Sequence, residues 1–378
     1  MKAIINANII LENEILREHC ILFEDKIVAV ERKCSITEKY LDEIIDAEGR
    51  FVSAGFIDIH IHGCANVDTM DEDVESLQKI SRILPSTGVT SFLATTMTMP
   101  MNDIERALAN IKIVMMQDIG AEVLGCHLEG PFINTKAKGA HDETYIIKPD
   151  LGKLMKYRDV IKIITLAPEL EGSSQLIKTC IDSNIIVSIG HTQASYDEAF
   201  EAIKNGALLF THLFNAMPAL HHRNPGTIGA AIDCDAYCEL IADNIHLHPA
   251  VIRIMIKAKG TDKVILITDA MRACLNEDGI YDLGGLKVSV QNNEARLPNG
   301  KLAGSMLTIN KAIKNIIKNT GIDIKDAIKF VTGNPSKLLG INNKKGAIAI
   351  GMDADLTIFD EEIKIYHTFV KGKMVYRG

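Results

Sequence analysis

Six side chains of metal-ligand type follow short apolar runs in this chain. They are His60 and His62 after Phe56-Ile57, Glu129 after Val123-Leu124, and His191 after Ile185-Ile186-Val187. His212 follows Ala207-Leu208-Leu209-Phe210, and Asp269 follows Val264-Ile265-Leu266-Ile267. Three or more imidazoles and carboxylates converging in a cleft form a hydrolytic metal site. Any one of them alone is explained as well by a satisfied core histidine or a rim carboxylate. Six of them, spread from residue 60 to residue 269, need an architecture that gathers many strand ends on one rim. A parallel barrel does that.

The local patterns add direction. In Phe56-Ile57-Asp58-Ile59-His60-Ile61-His62, strand alternation puts Asp58, His60 and His62 on one face and three isoleucines on the other. Isoleucines facing the helix layer leave the polar set inside the barrel mouth, where it must be hydrogen-bonded or hold an ion. Gly125-Cys126-His127-Leu128-Glu129-Gly130-Pro131 repeats the alternation with His127 and Glu129 inward. Asp269 can bind a metal, accept a proton from water or simply cap a helix. His246, after the seventh apolar run, faces the same mouth. The loops bearing Lys136, Lys138 and His141, and His221, His222 and Arg223, offer either an anion clamp or plain solvated basic surface.

The elements that must position these residues are legible as alternating strand and helix signals. Strands are expected over 56–61, 89–95, 122–128, 161–167, 185–190, 207–212, 237–242 and 263–268. Helices are expected over Val74–Leu84, Asp103–Gln117, Gln175–Ser183, Tyr196–Lys204 and Pro249–Lys259. Ser195 and Glu198 have capping-box spacing, and Pro249 suits a first helical turn. Eight buried parallel strands with crossover helices predict an α/β fold, a (β/α)₈ TIM barrel, with a doubly wound open sheet as the alternative. From Asn276 to Gly304 the pattern changes to a Gly-rich β-hairpin excursion. Both ends read as short strands: Ala3–Leu11, Cys20–Val30 and Glu43–Asp46, then Leu356–Phe359 and Phe369–Tyr376. Neither end can build a core alone. The expected domains are therefore a β-sandwich from residues 1–50 plus 346–378 and a barrel from residues 51–345.

The 378 residues suffice for one large domain and a small module. A net charge of −8 argues against a general nucleic-acid surface, so an anionic substrate must be caught by a local positive cluster. No apolar run reaches the roughly 18 residues of a membrane span, and the first residues lack a signal-peptide core. Eight cysteines without finger spacing suit reduced thiols. Together these features predict a cytoplasmic protein with no membrane or nucleic-acid partner.

With those residues in hand, the chain resembles the N-acetylglucosamine-6-phosphate deacetylases of the amidohydrolase superfamily. The motifs that carry the resemblance are Gly55-Phe56-Ile57-Asp58-Ile59-His60-Ile61-His62-Gly63, His127-Leu128-Glu129-Gly130-Pro131-Phe132, Gly190-His191-Thr192, Thr211-His212-Leu213-Phe214-Asn215-Ala216-Met217, Thr268-Asp269-Ala270, Leu302-Ala303-Gly304-Ser305 and Gly351-Met352-Asp353-Ala354-Asp355-Leu356. The second and fourth are specific to the deacetylase branch, whereas the HxH and closing motifs are superfamily-wide.

The resemblance implies a metal-dependent hydrolase acting on a phosphorylated N-acetyl amino sugar, and a homodimer. Glu129, His191 and His212 correspond to ligands of the main metal, Zn or Fe, and Asp269 to the catalytic acid/base. His60 and His62 make a second ion possible, giving one or two per subunit. Ala140, His141, Asn215, Ala216, His246, Leu302, Ala303 and Gly304 correspond to substrate contacts, and Arg223 to a phosphate-binding arginine that reaches the neighbouring active site. An N-acetylgalactosamine-6-phosphate deacetylase, a cyclic amidase or deaminase, and a metal-free scaffold barrel are the rival readings. The amidase reading expects a lysine bridge where this chain has Glu129.

Overall fold

The architecture was obtained as a computed structural model, which describes residues 1–32 and 41–378. Eight parallel strands run in sequence order around a barrel: β1 (Phe56–Ile61), β2 (Val89–Thr95), β3 (Glu122–Glu129), β4 (Ile161–Leu166), β5 (Ile186–Ile189), β6 (Leu209–Phe210), β7 (Tyr237–Ile241) and β8 (Val264–Ile267). Each pairs with its neighbour in parallel. The ring closes just beyond the ends of β8 and β1, where the Asp269 N–H donates to the His60 carbonyl at 2.9 Å and the His62 N–H to the Ala270 carbonyl at 2.9 Å. The closing seam therefore runs through three of the residues singled out for chemistry. Burial of every residue of β2 and β8, and of all but Lys162 in β4, is what strands covered on both faces show.

Helices fall between the strands. Tyr196–Lys204 and Pro249–Lys259 have the expected bounds, and the first carries the full Ser195/Glu198 capping box. The helix Gly226–Asp233 is one that periodicity does not announce. Its sequence, GTIGAAID, is apolar nearly all round and holds two glycines, so it has no amphipathic stripe to read. The Gly-rich excursion forms three antiparallel strands, Gly279–Leu283, Leu286–Gln291 and Glu294–Arg296, where a two-stranded hairpin was expected. The region expected as 207–212 is hydrogen-bonded as a strand only at Leu209–Phe210.

The termini form a separate sheet with its own apolar core, including Ile4, Ile9, Ile21, Phe23, Val52, Leu356, Ile358 and Phe369. Strand Lys2–Ile10 pairs with Ile15–Phe23 and divides its other edge between Glu43–Asp46 and Phe51–Ala54. Strand Phe51–Ala54 also pairs antiparallel with Leu356–Phe359, which stitches the two chain ends together.

A buried charge cluster ties this sheet to the barrel. The Lys345 ammonium, on a side chain only 6% exposed, contacts Asp355, Glu122 at 2.7 Å and Asp353 at 3.3 Å. Glu122 opens β3 and Asp355 immediately precedes Leu356–Phe359. Removing one member of such a cluster strands the others without compensation. Lys345→Met is expected to lower the free energy of unfolding by about 3–5 kcal/mol, read as a fall in the denaturant midpoint. A shift close to zero would mean that water already shields these carboxylates.

Candidate metal centre and active site

The site is assembled where strands end and the backbone turns sharply. His191, His212 and Asp269 follow β5, β6 and β8 with φ of 48°, 27° and 49°, a left-handed region that few non-glycine residues adopt. Such strain, concentrated at three strand ends of one rim, is typical of functional sites. After Glu129 the turn is made by Gly130 at φ 73°, where a Cβ would lie 2.1 Å from the Thr98 hydroxyl.

Glu129 is the hub. Its Oε1 lies 3.1 Å from His191 Nε2 and 3.0 Å from His212 Nε2, and those two nitrogens are 3.0 Å apart. All three residues are buried. The His191 Nδ1–H donates to the Ala137 carbonyl at 2.9 Å, so Nε2 of the neutral ring carries a lone pair. A lone pair, a second imidazole nitrogen and a carboxylate oxygen at this spacing suit a shared cation. Tetrahedral coordination at about 2.0–2.1 Å separates ligand atoms by about 3.3 Å, close to the spacing observed. The donor set therefore fits a divalent ion.

A second cluster shares the same carboxylate. Glu129 Oε2 is 3.2 Å from His62 Nε2, and Asp269 Oδ1 lies 3.2 Å from the same nitrogen and 3.6 Å from His60 Nε2. His60 Nε2 stands 3.5 Å from Glu129 Oε1, and His60, His62 and Glu129 form a group able to hold an ion. His141 also approaches, with Nε2 3.5 Å from Glu129 Oε2. Its Nδ1, however, accepts the Thr98 N–H at 3.1 Å, which puts the ring proton on Nε2. His141 is thus a donor aimed into the cleft rather than a ligand.

The electrostatics follow from burial and these contacts. Burial pushes Asp269 up, but the hydrogen bond from His62 and the charges of His60, His62 and His212 outweigh it and hold its pKa at about 2. Burial likewise opposes ionisation of Glu129, yet the charge of His60 and the close approach of the His141, His191 and His212 rings keep it well below the usual carboxylate range. His62 is lowered by burial and raised by Asp269 and Glu129, with a net value of about 9. An ion at His60 and His62 must displace protons, so its affinity should rise with pH. His141 is held down at about 4, chiefly by burial, and stays neutral.

A cleft of about 300 Å³ opens above these groups. Lining it are His62, Glu129, Ala140, His141, His191, His212, Asn215, Ala216, His246, Asp269, Leu302 and Gly304. Of the remaining candidates, His60 lies beneath the cleft, fully buried. Ala303 is buried and bonded to Ala295, outside the lining. Arg223 is exposed and does not line this cleft; its Nη1 lies 2.8 Å from His222 Nε2. His246 is pinned by Asp243, Nδ1 to Oδ2 at 2.6 Å, which leaves Nε2 for the cleft.

Lys136, one of the basic-loop candidates, also lines the cleft, whereas sequence reasoning missed Met97, Ala137, Gly139, Leu283 and Lys301 in its walls, and Thr98, which fixes His141. It also missed Glu239, buried beneath the imidazoles. A carboxylate in the middle of the apolar run Tyr237-Cys238-Glu239-Leu240-Ile241 was the signal that could have found it. His127, by contrast, is a satisfied core histidine. Its Nδ1 bonds the Ile59 carbonyl at 2.9 Å and its Nε2 the Thr165 hydroxyl at 2.7 Å.

A parallel barrel with imidazoles and carboxylates gathered at the C-terminal ends of its strands is an amidohydrolase architecture. Residues 51–375 match the Amidohydrolase family, and the chain belongs to that family. It is 39% identical over 377 residues to the N-acetylglucosamine-6-phosphate deacetylase of Bacillus subtilis (strain 168), covering 97% of this chain and 95% of the relative. The crystal structure of N-acetylglucosamine-6-phosphate deacetylase from Pasteurella multocida superposes with a TM-score of 0.95 at 33% identity, covering 100% of both chains. A mutant of the Mycobacterium smegmatis enzyme, solved in complex with N-acetyl-D-glucosamine-6-phosphate, superposes with a TM-score of 0.92 at 27% identity over 99% of both chains.

Proposed function

We propose that this chain removes the N-acetyl group of N-acetyl-D-glucosamine 6-phosphate, giving D-glucosamine 6-phosphate and acetate. The observation that carries this reading is the mutual contact of Glu129 Oε1, His191 Nε2 and His212 Nε2, facing Asp269 in one cleft. In this reading those three residues hold the main ion, and His60 and His62 hold a second with Glu129. Zn²⁺ and Fe²⁺ both suit an imidazole and carboxylate set. A bound divalent ion supplies Lewis-acid polarisation and a water acidic enough to react near neutral pH.

The chain's own residues account for the proton traffic. Asp269, ionised across the physiological range, accepts the proton released as water adds to the acetamide carbonyl. His141 donates its Nε2–H to the oxygen on which negative charge develops. Asp269 then returns its proton to the nitrogen as the C–N bond breaks, because an amine leaves poorly as an anion. Asn215, Ala216 and the Leu302-Ala303-Gly304 loop seat the sugar, and His246 reads a hydroxyl or the phosphate. Remote binding of this kind orients the amide for attack.

Arg223 enters this reading across a homodimer interface, because its guanidinium lies outside the cleft of its own subunit. Arg223→Ala should raise KM for the phosphorylated sugar by about ten- to a hundredfold, as expected for a lost charge-assisted bond, and leave the unphosphorylated sugar unchanged. Equal losses on both sugars would mean that Arg223 does not read phosphate. Among the described residues no helix is long and apolar enough to cross a membrane, and with a phosphosugar substrate a cytoplasmic location fits best. The deciding experiment is acetate release from N-acetylglucosamine 6-phosphate, N-acetylgalactosamine 6-phosphate and N-acetylglucosamine, each with and without chelator. Activity that survives stringent ion removal, or that prefers a sugar without phosphate, would overturn the assignment.

A further inference from the structure

Glu239 sits on β7 with 0% exposure, and among the described residues no lysine or arginine reaches it. A buried carboxylate without such a partner is costly unless hydrogen bonds hold it. Both bonds go to one oxygen: Oε2 accepts from His60 Nδ1–H at 3.0 Å and from the His212 main-chain N–H at 3.0 Å. One atom thus holds the His60 imidazole of one cluster and the His212 main chain of the other. His60, His127 and Glu239 lie close enough together to share an ion, but both ring nitrogens of His127 are already engaged. The group is therefore not a third ion site.

We propose that Glu239 is a positioning residue that keeps the His60 proton on Nδ1 and so leaves Nε2 able to take a metal ion. A neutral imidazole has one N–H and one lone pair. His60 Nε2 faces Glu129 Oε1 at 3.5 Å and Asp269 Oδ1 at 3.6 Å and has no hydrogen-bond partner of its own. Without an acceptor at Nδ1, the neutral ring gains most by turning its proton toward those two carboxylates. That tautomer blocks the lone pair. With Glu239 in place the proton is held on the far side, and the pair formed by His60 and His62 stays competent for an ion. The same oxygen, through its second bond, fixes the main chain of His212, whose φ of 27° needs an anchor. The inference rests on the ion-binding reading of the site and not on the identity of the sugar.

The test is titration of ion-depleted full-length protein with Zn²⁺ alone, against a chromophoric chelator. Wild type should take up two ions. Glu239→Met, similar in length but without an acceptor, should weaken the second ion about 10- to 100-fold, as losses of ligand-orienting partners do. That ion should be the one lost in His60→Asn, and the ion at Glu129, His191 and His212 should change only a few-fold. Glu239→Gln can place an amide oxygen where Oε2 lies, and should bind both ions nearly as wild type. The ¹⁵N shifts of His60 in the ion-free protein above the ring's pKa should report Nδ1–H in wild type and Glu239→Gln, and Nε2–H in Glu239→Met. Uptake of a single ion by wild type, an unweakened second ion in Glu239→Met, or failure of Gln to rescue would each overturn the proposal. If Glu239→Met does not fold, an Nε2–H signal in wild type overturns it just as well. None of these readouts needs turnover, so a protein inactive on every sugar but showing this pattern would refute the substrate and leave Glu239 its role.

Discussion

Replacing Asp269 by Asn is expected to reduce kcat by about a thousandfold or more, the upper range for loss of a positioned acid/base, while ion content and KM stay near wild type. The substitution is isosteric, and the contacts that seat the residue mostly survive it. The Asp269 N–H still donates to the His60 carbonyl and the Ser305 N–H still reaches the residue's carbonyl, both main-chain bonds. What disappears is the charge that takes up and returns a proton. With its carboxyl held at about 2, Asp269 is ionised and ready to accept wherever the enzyme would work. Acetate release under substrate saturation, with ion content measured on the same preparation, checks the claim. Turnover within about tenfold of wild type would be too fast for a protein without its base and would remove Asp269 from that role.

Glu129→Gln should be almost as damaging, by a different route. Glu129 touches His62, His191, His212, His60 and His141 within 3.5 Å, so its charge holds both clusters together. An amide has no charge to offer an ion, and its NH₂ would face one of the nitrogen lone pairs. Loss of residues that merely orient ligands costs about 10- to 100-fold in ion affinity, so loss of the shared ligand should cost at least about a hundredfold. The variant should then behave like chelated wild type, inactive until a large excess of ion is supplied. Equilibrium dialysis followed by acetate release reads both quantities. Wild-type ion content and affinity in Glu129→Gln would mean that the ion sits elsewhere and would dismantle the site as described.

These two expectations depend on different kinds of information. That Glu129, His191, His212 and Asp269 belong on one rim was legible from the chain, since each follows an apolar run and a parallel barrel sends every such run to the same end. Alternation around Asp58, His60 and His62 was equally legible, because a side chain's face is fixed by its parity along its own strand. The capped helix Tyr196–Lys204 and the Pro249 start were readable for the same local reason. By contrast, the helix Gly226–Asp233 was hidden because a segment apolar on all sides carries no period. The strand expected over 207–212 was legible, but its two-residue extent was hidden because hydrogen bonding by its neighbours, and not its own composition, decides where it ends.

The sequence by itself determined which residue types stand at the strand ends and toward which face they point, because those properties depend only on neighbours along the chain. The tertiary structure alone decided what stands at Nδ1 of three of the imidazoles. Ala137 does so for His191, Thr98 for His141 and Glu239 for His60, partners that stand 54, 43 and 179 residues away. It also decided that Arg223 stays outside the cleft. A ring's tautomer is set by the acceptor or donor lying within about 3 Å of it, and that neighbour is chosen by barrel closure, which no local pattern records.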